Sequence, residues 1–183
     1  MQAIIEDFTS LSPFLNECFQ AYLENRPYSA LLIHGLDGVG KKTFSKLLAK
    51  ALFCESEHKR PCFACPACLS IDKNEAPQLI EIKALDKSIK IEDIRGLLEK
   101  LEVRSIGVKS RLVLIEDADL MTVSSQNALL KSLEEPYENC FFILTTSHLS
   151  RVLQTIQSRC TKLYFPVWEN KALENKAKML NLD

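Results

Sequence analysis

Apolar positions along the chain follow two spacings, one typical of amphipathic helices and one typical of buried strands. Helical spacing comes first over residues 12–26, where Ser12 and Pro13 provide a cap and a first turn. After that, short apolar runs alternate with further helical stretches. Strands are predicted within 29–35, 77–83, 110–117, 139–147 and 161–166. Helices are predicted within 41–54, 88–104 and 122–136, and a helix or turn within 149–160.

Strands that alternate with helices imply βαβ units, and therefore a mainly parallel sheet covered by helices on both faces. The pattern predicts an α/β domain over residues 1–166. From Trp168 onward the helical spacing resumes, with little chain left for that helix to pack against. We therefore predict that residues 167–183 begin a further helical element.

Charge and hydropathy narrow the class of protein. Lysine and arginine total 23 against 24 acidic residues, so no global basic field favours direct DNA binding. No apolar run approaches the roughly 20 residues needed to span a bilayer, and the first ten residues lack the pattern of a signal peptide. The sequence predicts a cytoplasmic protein without a membrane partner.

The segment IHGLDGVGKKT, from Ile33 to Thr43, has the spacing of a phosphate-binding loop between a predicted strand and helix. Its glycines allow backbone N–H groups to surround phosphate oxygens. The position after the loop lysine normally carries a Mg²⁺-binding hydroxyl, but here it is Lys42, and Thr43 lies about 100° further round the helix. The alternative is a glycine-rich turn that only begins a helix. The candidate nucleotide-binding residues are Gly35, Gly38, Gly40, Lys41, Lys42 and Thr43.

Acidic residues follow the apolar strand in RLVLIEDADLM, where P-loop enzymes hold the metal. Such enzymes usually have Asp before Glu, whereas this chain has Glu116 before Asp117. The exchange changes the reach of each carboxylate by about 1.5 Å, and a misplacement of about 1 Å can cost a hundredfold in rate. We interpret the two residues as a degenerate Walker B pair of catalytic candidates. The alternative is a solvated strand end.

Seven cysteines, an odd number, argue against a disulfide framework and favour a metal site together with buried thiols. Four of them lie within fifteen residues and predict a closed, structural Zn²⁺ site. An iron–sulfur cluster and independent buried thiols are the alternatives, and His58 could compete with the first cysteine as a ligand. The candidate ligands are Cys54, Cys62, Cys65 and Cys68. The predicted core cysteines are Cys18, Cys140 and Cys160.

Together and in this order, these features resemble the clamp-loader subunits of bacterial DNA polymerase III, members of the AAA+ superfamily. The similarity covers nearly the whole chain through GLDGVGKKT, the cysteine module at 54–68, LVLIEDADLM, NALLKSLEEP, FILTTS and TIQSRC. It implies an AAA+ P-loop NTPase-type, RecA-like domain with an inserted zinc module. It also implies a helical lid, beginning at residues 167–183, and a C-terminal collar beyond this chain.

The resemblance assigns roles to two further residues. Thr146, in LTTS, matches the position that senses the γ-phosphate. Arg159, in SRC, matches the arginine finger that one subunit projects into the ATP site of its neighbour, where a guanidinium can stabilise charge on the transferring phosphoryl group. Without the resemblance, Arg159 would be interpreted as part of a surface ion pair.

Two types of subunit exist within this family. The gamma and tau motor subunits have a loop that ends in Lys-Thr and an Asp-Glu pair, whereas the delta-prime type keeps the fold, zinc module and arginine finger but has degenerate ATP machinery. Lys42 and the Glu116–Asp117 order match the delta-prime type. The resemblance thus implies a holoenzyme component that supports loading of the sliding clamp onto primed DNA and is not an ATPase alone. Its implied partners are the gamma, tau and delta subunits, and indirectly the clamp and primer-template DNA.

Two other functions stay open from the residues. One is an active ATPase of the gamma and tau type, since the loop shape still allows ATP and Mg²⁺ to bind. The other is a zinc-containing interaction module with no nucleotide role. Structural Zn²⁺ is the cofactor that all three hypotheses share, namely the delta-prime type, the active ATPase and the interaction module.

Overall fold

The computed structural model describes residues 2–84, 87–102 and 109–167. Its helices are α1 (Gln2–Leu11), α2 (Pro13–Leu23), α3 (Lys41–Phe53), α4 (Pro66–Lys73), α5 (Ile91–Glu102), α6 (Val123–Glu134) and α7 (Gln154–Gln157). Its strands are β1 (Ala30–His34), β2 (Leu79–Ile82), β3 (Arg111–Ile115), β4 (Cys140–Thr146) and β5 (Thr161–Tyr164). Among the described helices, none combines the length and apolar character needed to cross a membrane.

The five strands form one parallel sheet in the order β2-β3-β4-β1-β5. Ile33 on β1 lies opposite Thr145 on β4, and Ile115 on β3 lies opposite Leu144 on β4. The carboxyl ends of β1, β3 and β4 therefore meet at one edge of the sheet. In open parallel sheets this edge is where ligands bind.

Side chains alternate between the two faces of the sheet, as buried parallel strands require. Leu31 and Ile33 of β1 belong to a core shared with α1, α2 and α3. Ala30 and Leu32 of the same strand belong to a second core, shared with α5 and α6. The predicted α/β sheet with helices on both faces is confirmed.

The amino-terminal helices anchor the sheet near the glycine loop. Ser12 caps α2 as predicted, because its hydroxyl accepts a hydrogen bond from the N–H of Phe14 at 3.3 Å and Pro13 occupies the first turn. Helix α1 was not predicted. Its Phe8 ring lies 5.6 Å from the Phe44 ring and 5.8 Å from the Phe165 ring, so α1 closes the core beneath the loop.

Several finer predictions also have outcomes in the fold. Cys18, Cys140 and Cys160 are buried core residues, and burial raises the pKa of their thiols to about 12, 11 and 12 respectively. The stretch within 149–160 consists of a 3₁₀ turn at Leu149–Arg151 followed by the short helix α7. Apart from Val167, the predicted start of a helical lid lies outside the described residues.

Candidate nucleotide cleft and cysteine cluster

The loop between β1 and α3 depends on glycine at three positions. Gly38 and Gly40 have φ of 75° and 102°, which side-chain-bearing residues rarely adopt. A Cβ on Gly35 would lie 2.4 Å from the carbonyl oxygen of Phe165, so the backbone passes too close for any side chain. The loop therefore has the strand–loop–helix geometry that the sequence predicts. One backbone N–H of the loop is already hydrogen-bonded, because Asp37 Oδ1 accepts the N–H of Gly38 at 2.9 Å.

Lys41, the first residue of α3, turns its ammonium back onto the loop. Its Nζ donates to the carbonyl oxygens of Gly35 at 3.0 Å and Leu36 at 2.7 Å, and to Ser147 Oγ at 2.9 Å. Only 6% of the residue is exposed. This burial lowers the pKa of Lys41, against the opposing effect of Asp37 and other nearby carboxylates. Since an ammonium has three protons, an incoming phosphate would have to displace one of these bonds.

Lys42 forms an ion pair with the first residue of the acidic pair. Its Nζ lies 2.9 Å from Glu116 Oε2, and this hydrogen bond raises the pKa of Lys42. The Glu116 side chain is 10% exposed and that of Lys42 is 53% exposed. Glu116 Oε1 is buried without a hydrogen-bond partner. The contact joins the start of α3 to the end of β3.

Mg²⁺ does not fit this arrangement of side chains. In P-loop enzymes the residue after the loop lysine and a carboxylate at the strand end hold the metal, and here those positions are Lys42 and Glu116. An ammonium donates hydrogen bonds and cannot ligate a cation. Two unit charges 4 Å apart near a protein surface repel by about 4 kcal/mol, and a divalent ion would double that cost.

Asp117 lies beside this ion pair, with a left-handed backbone at φ 51°. Its N–H donates to Thr145 Oγ1 at 3.1 Å. Burial raises the pKa of the Asp117 carboxyl, and the neighbouring Asp119 and Asp37 add to the effect. The loop, the ion pair and this carboxylate line a cleft of ≈ 290 Å³. Its lining residues are Asp37, Gly38, Gly40, Lys41, Lys42, Thr43, Glu116, Asp117 and Thr145.

Thr146, the predicted phosphate sensor, is fully buried at the end of β4 and lies next to the cleft-lining Thr145. Its hydroxyl donates to Asp119 Oδ1 at 2.6 Å and accepts the N–H of His148 at 3.1 Å. Burial opposes ionisation of Asp119, but hydrogen bonds from Thr146, His148 and Ser147 outweigh it and lower the pKa. Asp119 is not among the predicted site residues, although it stands two residues after Asp117 in EDADLM.

Arg159 does not line the cleft. Its Nε donates to Glu134 Oε1 at 2.7 Å and its Nη1 donates to the carbonyl oxygen of Thr155 at 2.8 Å, while its Nη2 also contacts Glu134. The Arg159 side chain is 31% exposed, and Glu134 is the last residue of α6. The contact joins the NALLKSLEEP and TIQSRC segments. The predicted alternative of an ion pair is therefore present within this chain.

The four clustered cysteines converge as predicted. Their Sγ atoms all lie within 4.8 Å of one another. A tetrahedral ion with metal–sulfur distances of about 2.3 Å would place sulfurs about 3.8 Å apart, so the donor set fits one metal ion with little adjustment. Within the described residues, His58 is not part of this donor set. The ligand candidates that the structure brings together are Cys54, Cys62, Cys65 and Cys68.

Backbone N–H groups already point at the sulfurs. Cys54 Sγ accepts the N–H of Cys62 at 3.3 Å, and Cys62 Sγ accepts the N–H of Cys65 at 3.2 Å. N–H donors from Ala64 and Cys65 lower the pKa of Cys62 to about 6, whereas burial raises the pKa of Cys54 and Cys68. Such N–H···S bonds stabilise thiolates, the form in which cysteine binds metals.

Comparison with known proteins identifies relatives of this chain. A family model described as "DNA polymerase III, delta subunit" matches residues 12–169. The Bacillus subtilis DNA polymerase III subunit delta′ is 35% identical over 153 residues, covering 84% of this chain and 46% of that protein. The gamma subunit of Buchnera aphidicola is 38% identical over 141 residues, covering 76% and 38%. The Escherichia coli tau subunit is 37% identical over 140 residues, covering 76% and 22%. The chain thus spans less than half the length of these relatives.

Solved structures with a similar fold include two proteins from Thermotoga maritima. A DNA polymerase III gamma subunit-related protein has a TM-score of 0.64 at 22% identity, covering 91% of this chain and 54% of the other. The RuvB Holliday junction branch migration motor has a TM-score of 0.60 at 12% identity, covering 91% and 49%. At these identities the likeness establishes the fold alone, a parallel sheet flanked by helices.

Proposed function

The chain belongs to the DNA polymerase III delta-subunit family of AAA+ clamp-loader subunits, and we propose that it is a delta-prime-like member that does not hydrolyse ATP. In this proposal it supports loading of the sliding clamp onto primed DNA in the cytoplasm, beside gamma or tau and delta subunits. Its direct contacts are with those subunits. The clamp and the DNA are indirect partners.

The ion pair between Lys42 and Glu116 carries the proposal. Hydrolysis by a P-loop enzyme needs a metal ion that bridges the β- and γ-phosphates, and the two residues placed to hold that ion are bonded to each other at 2.9 Å. The reversed order of Glu116 and Asp117 also shifts the carboxylate that would orient the attacking water. A cleft arranged in this way lacks the means to stabilise phosphoryl transfer.

The state of the loop supports the same conclusion. Lys41 donates all three ammonium protons to acceptors within the chain, and the N–H of Gly38 donates a hydrogen bond to Asp37. Nucleotide binding must therefore replace internal bonds before it gains new ones. This is why we propose at most weak ATP binding. Thr146 would then occupy the position of a γ-phosphate sensor without sensing a nucleotide.

Arg159 supplies the active role in this proposal, as an arginine finger delivered to the ATP site of a neighbouring subunit. The partial exposure of its guanidinium and its fixed place beside Glu134 at the end of α6 support that role. A guanidinium bound to one carboxylate can exchange that partner for phosphate oxygens, because the planar guanidinium can donate two parallel N–H bonds to either group. Assembly would then govern the neighbour's hydrolysis.

We further propose that the four clustered cysteines hold structural Zn²⁺. The ion would tie the end of α3, at Cys54, to the start of α4, at Cys65 and Cys68. Four thiolates leave no open coordination position, so the site would be structural and not catalytic. None of the four cysteines is among the residues that line the cleft.

The test of the proposed function is Arg159→Ala in a clamp-loader complex reconstituted with gamma-type and delta subunits. We expect ATPase activity to fall by roughly 10³-fold at the site that receives the finger, as for other arginine fingers. Arg151→Ala, which removes an exposed arginine from the nearby 3₁₀ turn, is the matched control and should leave the rate unchanged. An Arg159→Ala complex with normal activity would rule out the role in trans.

An active ATPase of the gamma and tau type is the second candidate. The relatives named gamma and tau are as similar to this chain as the one named delta′, with identities of 38%, 37% and 35%. If this candidate is correct, the isolated chain should hydrolyse ATP with Mg²⁺, and Lys41→Ala should abolish the activity. The zinc-containing interaction module would instead show no effect of nucleotide on thermal stability.

A further inference from the structure

The Lys42–Glu116 pair also bears on which ligands the cleft accepts. Glu116 is at least nine-tenths buried, so its carboxylate has a fixed place at the end of β3. Lys42 is half-exposed, and its ammonium reaches that carboxylate from the solvent side of the cleft. The positive charge beside Glu116 in the cleft is therefore that of the Lys42 side chain.

The remaining oxygen of Glu116 is the second observation. Oε1 is buried and has no hydrogen-bond partner, while Oε2 is bonded to Lys42. A buried carboxylate oxygen without a partner is costly. Glu116 thus has one oxygen that no hydrogen bond occupies and one that is paired with Lys42, and the ammonium of Lys42 repels a divalent ion from this carboxylate.

We infer that Lys42 determines the metal specificity of the cleft: its ammonium takes the place of Mg²⁺, and its replacement by threonine makes nucleotide binding depend on Mg²⁺. The inference rests on the proposed function, because it concerns the metal that hydrolysis needs. Lys42 is the one protein ligand position of the metal that carries a cation, whereas Glu116 supplies a carboxylate at the end of β3. Threonine supplies the hydroxyl that P-loops use as the other protein ligand.

Charge in the cleft favours this change. Two lysines, Lys41 and Lys42, now face three lining carboxylates, Asp37, Glu116 and Asp117. The Lys42→Thr variant leaves one lysine against the same three carboxylates. A divalent cation then becomes the simplest way to accommodate a polyphosphate, because it neutralises the carboxylates and the phosphates together.

The experiment measures equilibrium binding of fluorescent ATP to the 183-residue chain, in excess Mg²⁺ and in EDTA. For the wild type we expect Mg²⁺ to give no gain in affinity, whether binding is weak or below detection. For Lys42→Thr we expect affinity at least about tenfold higher with Mg²⁺ than with EDTA. The double variant Lys42→Thr with Glu116→Gln should lose that gain, because the metal would lack its carboxylate.

Lys46→Thr is the matched control, since it removes another lysine of α3 whose ion pair with Glu81, at 3.1 Å, lies outside the cleft-lining residues. It should behave like the wild type. Circular dichroism and a cooperative thermal transition establish that each variant is folded. Mg²⁺-enhanced binding by the wild type, or no Mg²⁺-dependent gain in Lys42→Thr, would overturn the inference. Neither result would alter the Arg159 experiment, so the two ideas can fail separately.

Discussion

Individual side chains decide what the cleft can bind. The sequence predicts the loss of the hydroxyl at Lys42 and the reversed order of Glu116 and Asp117. It does not predict the ion pair between Lys42 and Glu116, because that contact joins the start of α3 to the end of β3, which are far apart in the chain. Nor does it predict the hydrogen bond between Thr146 and Asp119, since that bond depends on which strand ends become neighbours.

Gly40 provides a stability prediction that isolates one side-chain contact. A Cβ there would lie 3.2 Å from Phe8 Cε1 on a backbone with φ of 102°. At Gly38 the backbone is also left-handed, but a Cβ would meet nothing within 4 Å. We expect Gly38→Ala to lower the free energy of unfolding by about 1 kcal/mol and Gly40→Ala by about 2–4 kcal/mol.

Chemical denaturation of both glycine variants checks this prediction, with the midpoint and slope compared with those of the wild type. The difference between the variants measures the contact with α1 together with the larger φ of Gly40. Equal losses would mean that the α1 helix does not press against the loop. The prediction concerns stability alone, so it holds whether or not the cleft binds nucleotide.

Whole helices and strands were easier to predict than their ends and contacts. The five strands and the helices α2, α3, α5 and α6 follow from apolar periodicity, because each buries one or two faces. Helix α4 is not predicted, because it begins inside the cysteine cluster, whose spacing indicates a metal site and not a helix. Pro66 occupies its first position, to which proline is well suited. Helix α1 is not predicted, because the first ten residues yield only the expectation that they do not form a signal peptide.

The cysteine cluster should stabilise its own segment more than the sheet. Strong chelation should remove metal and loosen residues 54–68, because the metal ligands lie in that segment. None of the four cysteines belongs to the cores on the two faces of the sheet, whereas Ile71 of α4 is fully buried in one of them. We therefore expect the main thermal transition to persist, while amide exchange in 54–68 accelerates.

Metal analysis before and after chelation, together with amide hydrogen exchange, provides the measurement. Cys65→Ser should reproduce the chelated state, whereas Cys160→Ala, in a different part of the core, should retain the metal. Protein that contains no metal when purified, or exchange that chelation leaves unchanged, would count against a zinc site. Iron with visible absorbance would favour the iron–sulfur alternative.

Across the whole molecule, the strand order β2-β3-β4-β1-β5 creates the cleft. Alternating strands and helices predict a parallel sheet, but they do not specify this order, which places β3 and β4 beside β1. The motifs of the loop, the strand-end acids and the clustered cysteines could be located from the sequence because each has local spacing. The distances between these motifs could not be predicted from the sequence, because those distances depend on the order of the strands.

We propose above all that this cleft does not hydrolyse ATP. The most direct test uses a complex in which the clefts of the other subunits cannot hydrolyse ATP either. The chain is assembled with delta and with gamma-type subunits whose own P-loop lysines are replaced by alanine, and hydrolysis of radiolabelled ATP is measured with Mg²⁺. The complex with unaltered gamma-type subunits serves as the positive control. The ion pair between Lys42 and Glu116 predicts no hydrolysis above background in the substituted complex. Sustained turnover there would contradict the proposal and identify the chain as an active clamp-loader ATPase.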